Sequence, residues 1–84
     1  MVEYLLICRS LTYAQRTGAV LERVGIRTRI RRAPKAASAE GCGYAVTIAE
    51  RDLTHALTVL KSASLSPKRI FLRREGEAEQ EVQY

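Results

Sequence analysis

The stretch Ile26-Arg27-Thr28-Arg29-Ile30-Arg31-Arg32 alternates without a break, placing Ile26, Thr28 and Ile30 on one side of an extended chain and Arg27, Arg29 and Arg31 on the other. A strand of this kind offers one face to a core and the other to water or a charged ligand. That is the pattern of an antiparallel sheet covered on one side only.

Working back toward the N-terminus, Gly25 stands where a helix stops. Leu11, Ala14, Gly18, Leu21 and Val24 before it follow the helical stripe. Ser10 or Thr12 can cap that helix, and Thr12 with Gln15 matches a capping box. Val2 to Arg9 reads as a strand apolar on both faces, with Tyr4, Leu6 and Cys8 on one side and Leu5 and Ile7 on the other, which suits a central position. Toward the C-terminus, Ala33 to Gly43 has no periodicity and carries Pro34, Ser38, Gly41 and Gly43. It is a loop long for a hairpin, and long loops are commonly functional. Tyr44 to Ala49 is a third strand. Glu50 to Ser64 is a second helix, with Leu53, Ala56, Leu57, Leu60 and Ala63 on one face. Pro67 closes a turn before a last strand, Lys68 to Arg74, in which Ile70 and Leu72 face in and Arg69, Phe71 and Arg73 face out.

Two β-α-β halves with right-handed crossovers predict an α+β, ferredoxin-like βαββαβ fold: a four-stranded antiparallel sheet in the order 4-1-3-2 with both helices on one face. Residues 1–74 form the domain and residues 75–84 an acidic tail. The formal charge of +5 conceals this division: four of the nine acidic residues, Glu75, Glu77, Glu79 and Glu81, lie in the tail, leaving 14 minus 5, or +9, on the rest. Such a basic domain attracts anions, whether nucleic acid, an acidic protein or its own tail. The alternate glutamates have the spacing needed to meet the Arg27, Arg29 and Arg31 row.

With 46% hydrophobic and 27% charged residues, the composition excludes a disordered or collagenous chain. No apolar run is long enough for a membrane span and no secretory leader is evident, so no membrane partner is expected and a cytoplasmic location is the default. Two cysteines are too few for a disulfide scaffold, and with the single His55 they cannot complete a zinc site, so no structural metal is expected. No cofactor motif is present.

Cys42 is the candidate reactive group. Flanked by Gly41 and Gly43, its sulfur is open to a partner and backbone N–H groups nearby can receive an anion. The expected topology sets the loop beside Ser10 and the first helical turn, where the helix dipole and Arg9, Lys35 and Lys68 favour a thiolate. The competing reading is that a free cysteine is commonly a small buried hydrophobe. That reading suits Cys8, on an apolar strand, better than Cys42. The functional alternative for Cys8 is a resolving or second carrier thiol, and the expected topology, with strand 1 ending beside the start of strand 3, allows it a disulfide to Cys42 on oxidation. His55 reads as a solvated residue.

The succession Leu21-Glu22-Arg23-Val24-Gly25-Ile26, Ala33-Pro34-Lys35, Ser38 and Cys42-Gly43 before a strand resembles the selenium/sulfur carrier protein-like family of small bacterial domains, over about residues 3–72. The resemblance implies that Cys42 holds sulfur or selenium as a persulfide or selenopersulfide. Gly43, Pro34, Lys35 and Ser38 would be loop-shaping or anion-facing positions, and the partners would be donor and acceptor proteins. An Ala-rich loop, a second thiol at Cys8 and the acidic tail depart from the family pattern. A carrier needs no general base or metal, so this reading is of a carrier rather than a complete enzyme. One alternative is an RRM-like nucleic-acid-binding module using the basic face of Arg27, Arg29, Arg31, Arg69 and Arg73, with Phe71 stacking a base. The RNP1 signature is absent from Tyr44-Ala45-Val46-Thr47-Ile48. A second alternative is a protein-interaction or regulatory domain, including a homodimer formed through sheet edges or faces.

Overall fold

The computed structural model describes residues 2–34 and 43–83. The chain runs β1 (Val2–Cys8), α1 (Leu11–Arg23), β2 (Arg29–Arg32), β3 (Tyr44–Ala49), a 3-10 turn (Glu50–Asp52), α2 (Leu53–Ser62), β4 (Arg69–Arg74) and β5 (Gln80–Val82). It is an α+β fold whose sheet has five strands in the order β2-β3-β1-β4-β5, and every neighbouring pair is antiparallel. The four-strand expectation is therefore corrected: the 4-1-3-2 arrangement does not end at β4 but continues into a fifth strand from the acidic segment. Gly76, at φ 79°, and the Glu77 N–H donating to the Arg74 carbonyl turn the chain so that it can pair back on β4.

Each face of the sheet has its own apolar cluster. On one, Leu6, Cys8, Val46, Ile48 and Ile70 meet Ala14 and Leu21 of α1 and Ala56 and Leu60 of α2, so both helices cover the same side. On the other, Leu5, Ile7, Ala45 and Phe71 are buried in a smaller cluster, with Ala33 packed against it. Register explains the second cluster: Phe71 stands opposite Leu5, and Ala45 opposite Ile7. Charged side chains close over its margin. The Arg69 guanidinium lies 5.0 Å above the Phe71 ring, and Arg73 donates to Glu3 across the strands.

Both helices end in the same way. The Ile26 N–H donates to the Leu21 carbonyl (3.0 Å) and the Gly25 N–H to that of Glu22 (3.1 Å); Leu65 and Ser64 repeat these bonds onto Leu60 (2.8 Å) and Lys61 (3.2 Å). These are Schellman closures, in which the residue after the cap turns left-handed and the next apolar residue folds onto the core. Gly25 has φ 84° and Ser64 φ 58°, and Ile26 and Leu65 are both buried.

The closure moves one boundary. Ile26 is used to seal the end of α1, so β2 begins at Arg29 rather than at Ile26, and all four of its residues are exposed. Ile30, expected in the core, is 38% exposed because β2 is a sheet edge. At the other end of α1, Ser10 is the cap: its Oγ accepts from the Tyr13 N–H at 3.1 Å, so the Thr12 alternative is not used. α2 stops at Ser62, two residues short of the expected limit, and its first turn is the 3-10 segment.

Candidate functional site

The strand ends that frame segment 35–42 are tightly specified. Tyr44 pairs with Cys8 on one side and Arg32 on the other, and the Ala33 N–H donates to the Gly43 carbonyl at 3.1 Å. Gly43 is buried at φ 144°, a backbone conformation that side chains rarely adopt, so the glycine preceding β3 answers a steric demand. Pro34 is half-buried just before the segment. Cys42 itself, with Gly41, Lys35 and Ser38, lies outside the described residues. The expected Cys8–Cys42 pairing therefore lies outside them as well.

Beside these strand ends, Cys8, Arg9, Tyr13, Ser66 and Lys68 line a pocket of about 390 Å³. The end of β1 delivers Cys8, the bend after it Arg9, the first turn of α1 Tyr13, and the turn before β4 Ser66 and Lys68. The Lys68 N–H donates to the Ile7 carbonyl at 2.9 Å, which ties that turn to the end of β1. Arg9 is exposed, with its guanidinium 5.2 Å above the Tyr13 ring. Two cations and the N-terminal end of a 13-residue helix thus converge on one opening, a combination that favours anions and thiolates. Tyr13 and Ser66 were not singled out from the sequence. Tyr13 falls off the apolar stripe and Ser66 lies in a turn, so only the packing of the turn against β1 brings them together.

Cys8 is withdrawn from that chemistry. It is 2% exposed, and its thiol donates weakly to the Leu6 carbonyl (3.8 Å) and to Thr17 Oγ1 (3.9 Å). Burial pushes its pKa up, and the Thr17 hydroxyl opposes this only in part. A thiol held neutral in a core is a poor nucleophile, which agrees with the structural reading of Cys8.

The basic face divides in two. Arg69 makes a bidentate pair with Glu81 of β5 (2.7 and 3.0 Å), and Arg73 pairs with Glu3 of β1. The Arg69 bond holds the Glu81 carboxyl below its ordinary pKa range, and Glu81 in turn raises Arg69. Arg27, Arg29 and Arg31 are exposed on or just before the opposite edge strand. The glutamate-rich segment accordingly docks at β4 rather than against the arginine row it was expected to meet. Phe71 faces away from the helices as expected but is 3% exposed beneath Arg69, so it does not present a bare stacking surface. His55 is exposed on α2.

Among the described residues, no group of three or more His, Cys, Asp or Glu side chains is placed to hold a metal ion, and no helix is long and apolar enough to cross a membrane. Fold and site together define a small α+β domain with one cysteine sealed in its core and a cationic opening beside the strands that flank the second. The chain belongs to the family described as "Putative Se/S carrier protein-like", whose model matches residues 3–72. No curated protein and no solved structure matches it.

Proposed function

We propose that this chain is a sulfur or selenium carrier in which Cys42 holds the chalcogen atom as a persulfide or selenopersulfide. One observation carries the reading: the chain has two cysteines, and Cys8 is buried with its pKa raised, so the chemistry implied by the family falls to Cys42. The cations Arg9 and Lys68 beside the α1 N-terminus supply a positive field at the strand ends that frame segment 35–42. Lys35 and Ser38 within that segment are the further candidates to bind an anion, and Gly41 adds no side chain next to Cys42 in the sequence.

The transfer needs no outside oxidant. The Cys42 thiolate attacks the terminal sulfur of a donor persulfide, a new S–S bond forms at Cys42, the donor S–S bond breaks, and the donor leaves as a thiolate. An acceptor thiolate repeats the step on the outer sulfur and releases Cys42. Selenium follows the same course, with one selenium in place of the transferred sulfur.

Intact-mass spectrometry after anaerobic incubation with a low-molecular-weight persulfide tests the proposal. The wild-type chain and a Cys8→Ser variant gain the mass of one sulfur, and Cys42→Ser gains none. Loading of Cys42→Ser with loss of loading in Cys8→Ser would transfer the chemistry to Cys8 and overturn the assignment.

A further inference from the structure

The sheet carries a worked example of how it accepts an acidic strand. Gln80–Val82 adds to the outer side of β4, with Glu81 opposite Phe71 and its carboxylate reaching diagonally to Arg69 on the open face. Backbone pairing supplies the attachment and the arginine–carboxylate fork supplies the register. Arg73, four residues beyond Arg69, is met from the other neighbouring strand by Glu3. Each arginine that β4 presents on the open face is thereby neutralised within the chain.

The far edge repeats the surface, with no partner among the described residues. Among the described residues β2 is hydrogen-bonded to β3 alone, and no strand lies on its outer side. Arg29 and Arg31 point to the open face, opposite Thr47 and Ala45. Unlike β1 and β5 beside β4, β3 offers them no carboxylate: its open-face residues are Ala45, Thr47 and Ala49. No described carboxylate pairs with Arg29 or Arg31. Their spacing of two residues, about 7 Å along a strand, matches that of alternate side chains on an added strand.

We infer that the β2 edge is a docking site for an acidic extended segment of a partner protein, which adds as a sixth strand with carboxylates at alternate positions facing Arg29 and Arg31. The mode is β-augmentation, in which main-chain bonds give attachment and alternate side chains give selectivity. β2 leads through Ala33 and Pro34 into the segment that holds Cys42, so a protein bound there contacts the strand that immediately precedes that segment. The docking itself is independent of whether Cys42 carries chalcogen. Single-stranded RNA, the other polyanion such a row could meet, would need stacking surfaces, and Phe71 on this face is buried.

The test uses the full ¹⁵N-labelled chain and three probes of comparable charge: the peptide Thr-Glu-Val-Glu-Val-Glu-Thr, its isomer with the glutamates grouped together, and a short oligouridylate. The expected result is binding of the alternating peptide about tenfold tighter than the grouped isomer, with amide shifts concentrated at residues 29–32 rather than at β4. Arg29→Gln/Arg31→Gln, both at exposed positions, abolishes the preference while circular dichroism stays unchanged. Equal binding of the two peptides would reduce the edge to unspecific electrostatics and overturn the inference. So would shifts confined to β4, no peptide binding, or an oligouridylate that binds more tightly through the same two arginines.

Discussion

Replacing Ser64 by glycine is expected to stabilise the protein, and replacing Gly25 by alanine to destabilise it, because the two residues hold the same place in the same motif. Each follows a helix cap and turns the chain left-handed, at φ 58° for Ser64 and φ 84° for Gly25. A residue with a Cβ costs about 1–2 kcal/mol in that region, whereas glycine gives up about 0.5–1 kcal/mol in chain entropy. For Ser64→Gly the difference is a gain of about 0.5–1 kcal/mol. Ser64 is exposed and the Tyr13 hydroxyl bonds only to its backbone carbonyl (3.5 Å), so the substitution removes no described side-chain contact. At Gly25 a Cβ would meet nothing within 4 Å, so the cost of Gly25→Ala, about 1 kcal/mol, is conformational rather than steric. In a domain of this size 1 kcal/mol moves Tm by about 4–8 °C. Urea unfolding monitored by circular dichroism, with m unchanged, should show the two midpoints moving in opposite directions. A Ser64→Gly variant less stable than wild type would show that backbone strain is not what this position stores.

Three further outcomes follow from the same packing. Cys8 should resist alkylation by iodoacetamide until the chain unfolds, and Cys8→Ser should lower stability by about 1–3 kcal/mol by burying a hydroxyl where a thiol packed; rapid labelling of Cys8 in the folded protein, read by peptide mapping, would contradict its burial. Glu81 has a depressed folded pKa through its bond to Arg69, so its contribution is present above the ordinary glutamate range and is lost as pH falls through the folded value. Glu81→Gln should therefore flatten part of the acid limb of Tm against pH and leave Tm at alkaline pH less stable than wild type by a constant amount; an identical acid limb in both proteins would remove the pair from the stability balance. Leu60→Ala, at a fully buried position that also accepts the Leu65 bond, should cost about 2–5 kcal/mol in urea unfolding, and a loss under 1 kcal/mol would mean that α2 is not seated as described.

The elements that the sequence made legible are those whose signal is local. The double-sided apolarity of Val2 to Cys8 marked a central strand, and Gly25 marked the end of α1, because a period and a left-handed turn are properties of neighbouring residues. The relative order of the first four strands followed from two right-handed crossovers. β5 was hidden by its charge: Glu79, Glu81 and their neighbours read as an acidic tail that would meet the Arg27, Arg29 and Arg31 row, although Gly76 inside a short connection after β4 was a hairpin signal. The family was legible from the loop residues, and Cys42 remains a proposal carried by sequence and by elimination.

What the chain alone determined, then, is where strands and helices form, which side of each is apolar, and that the cysteines have different neighbourhoods. Only the tertiary structure decided that Cys8 is sealed beneath α1 beside Thr17, that Arg69 and Arg73 are paired with carboxylates while no described carboxylate meets Arg29 or Arg31, and that Tyr13, Ser66 and Lys68 share an opening with Arg9. The reason is physical: periodicity is set by residues a few positions apart, whereas desolvation of a thiol and pairing of a charge depend on groups brought close from distant parts of the chain. Glu3 and Arg73 stand 70 positions apart in sequence and directly opposite each other in the sheet, a relation that exists only once β1 and β4 have paired.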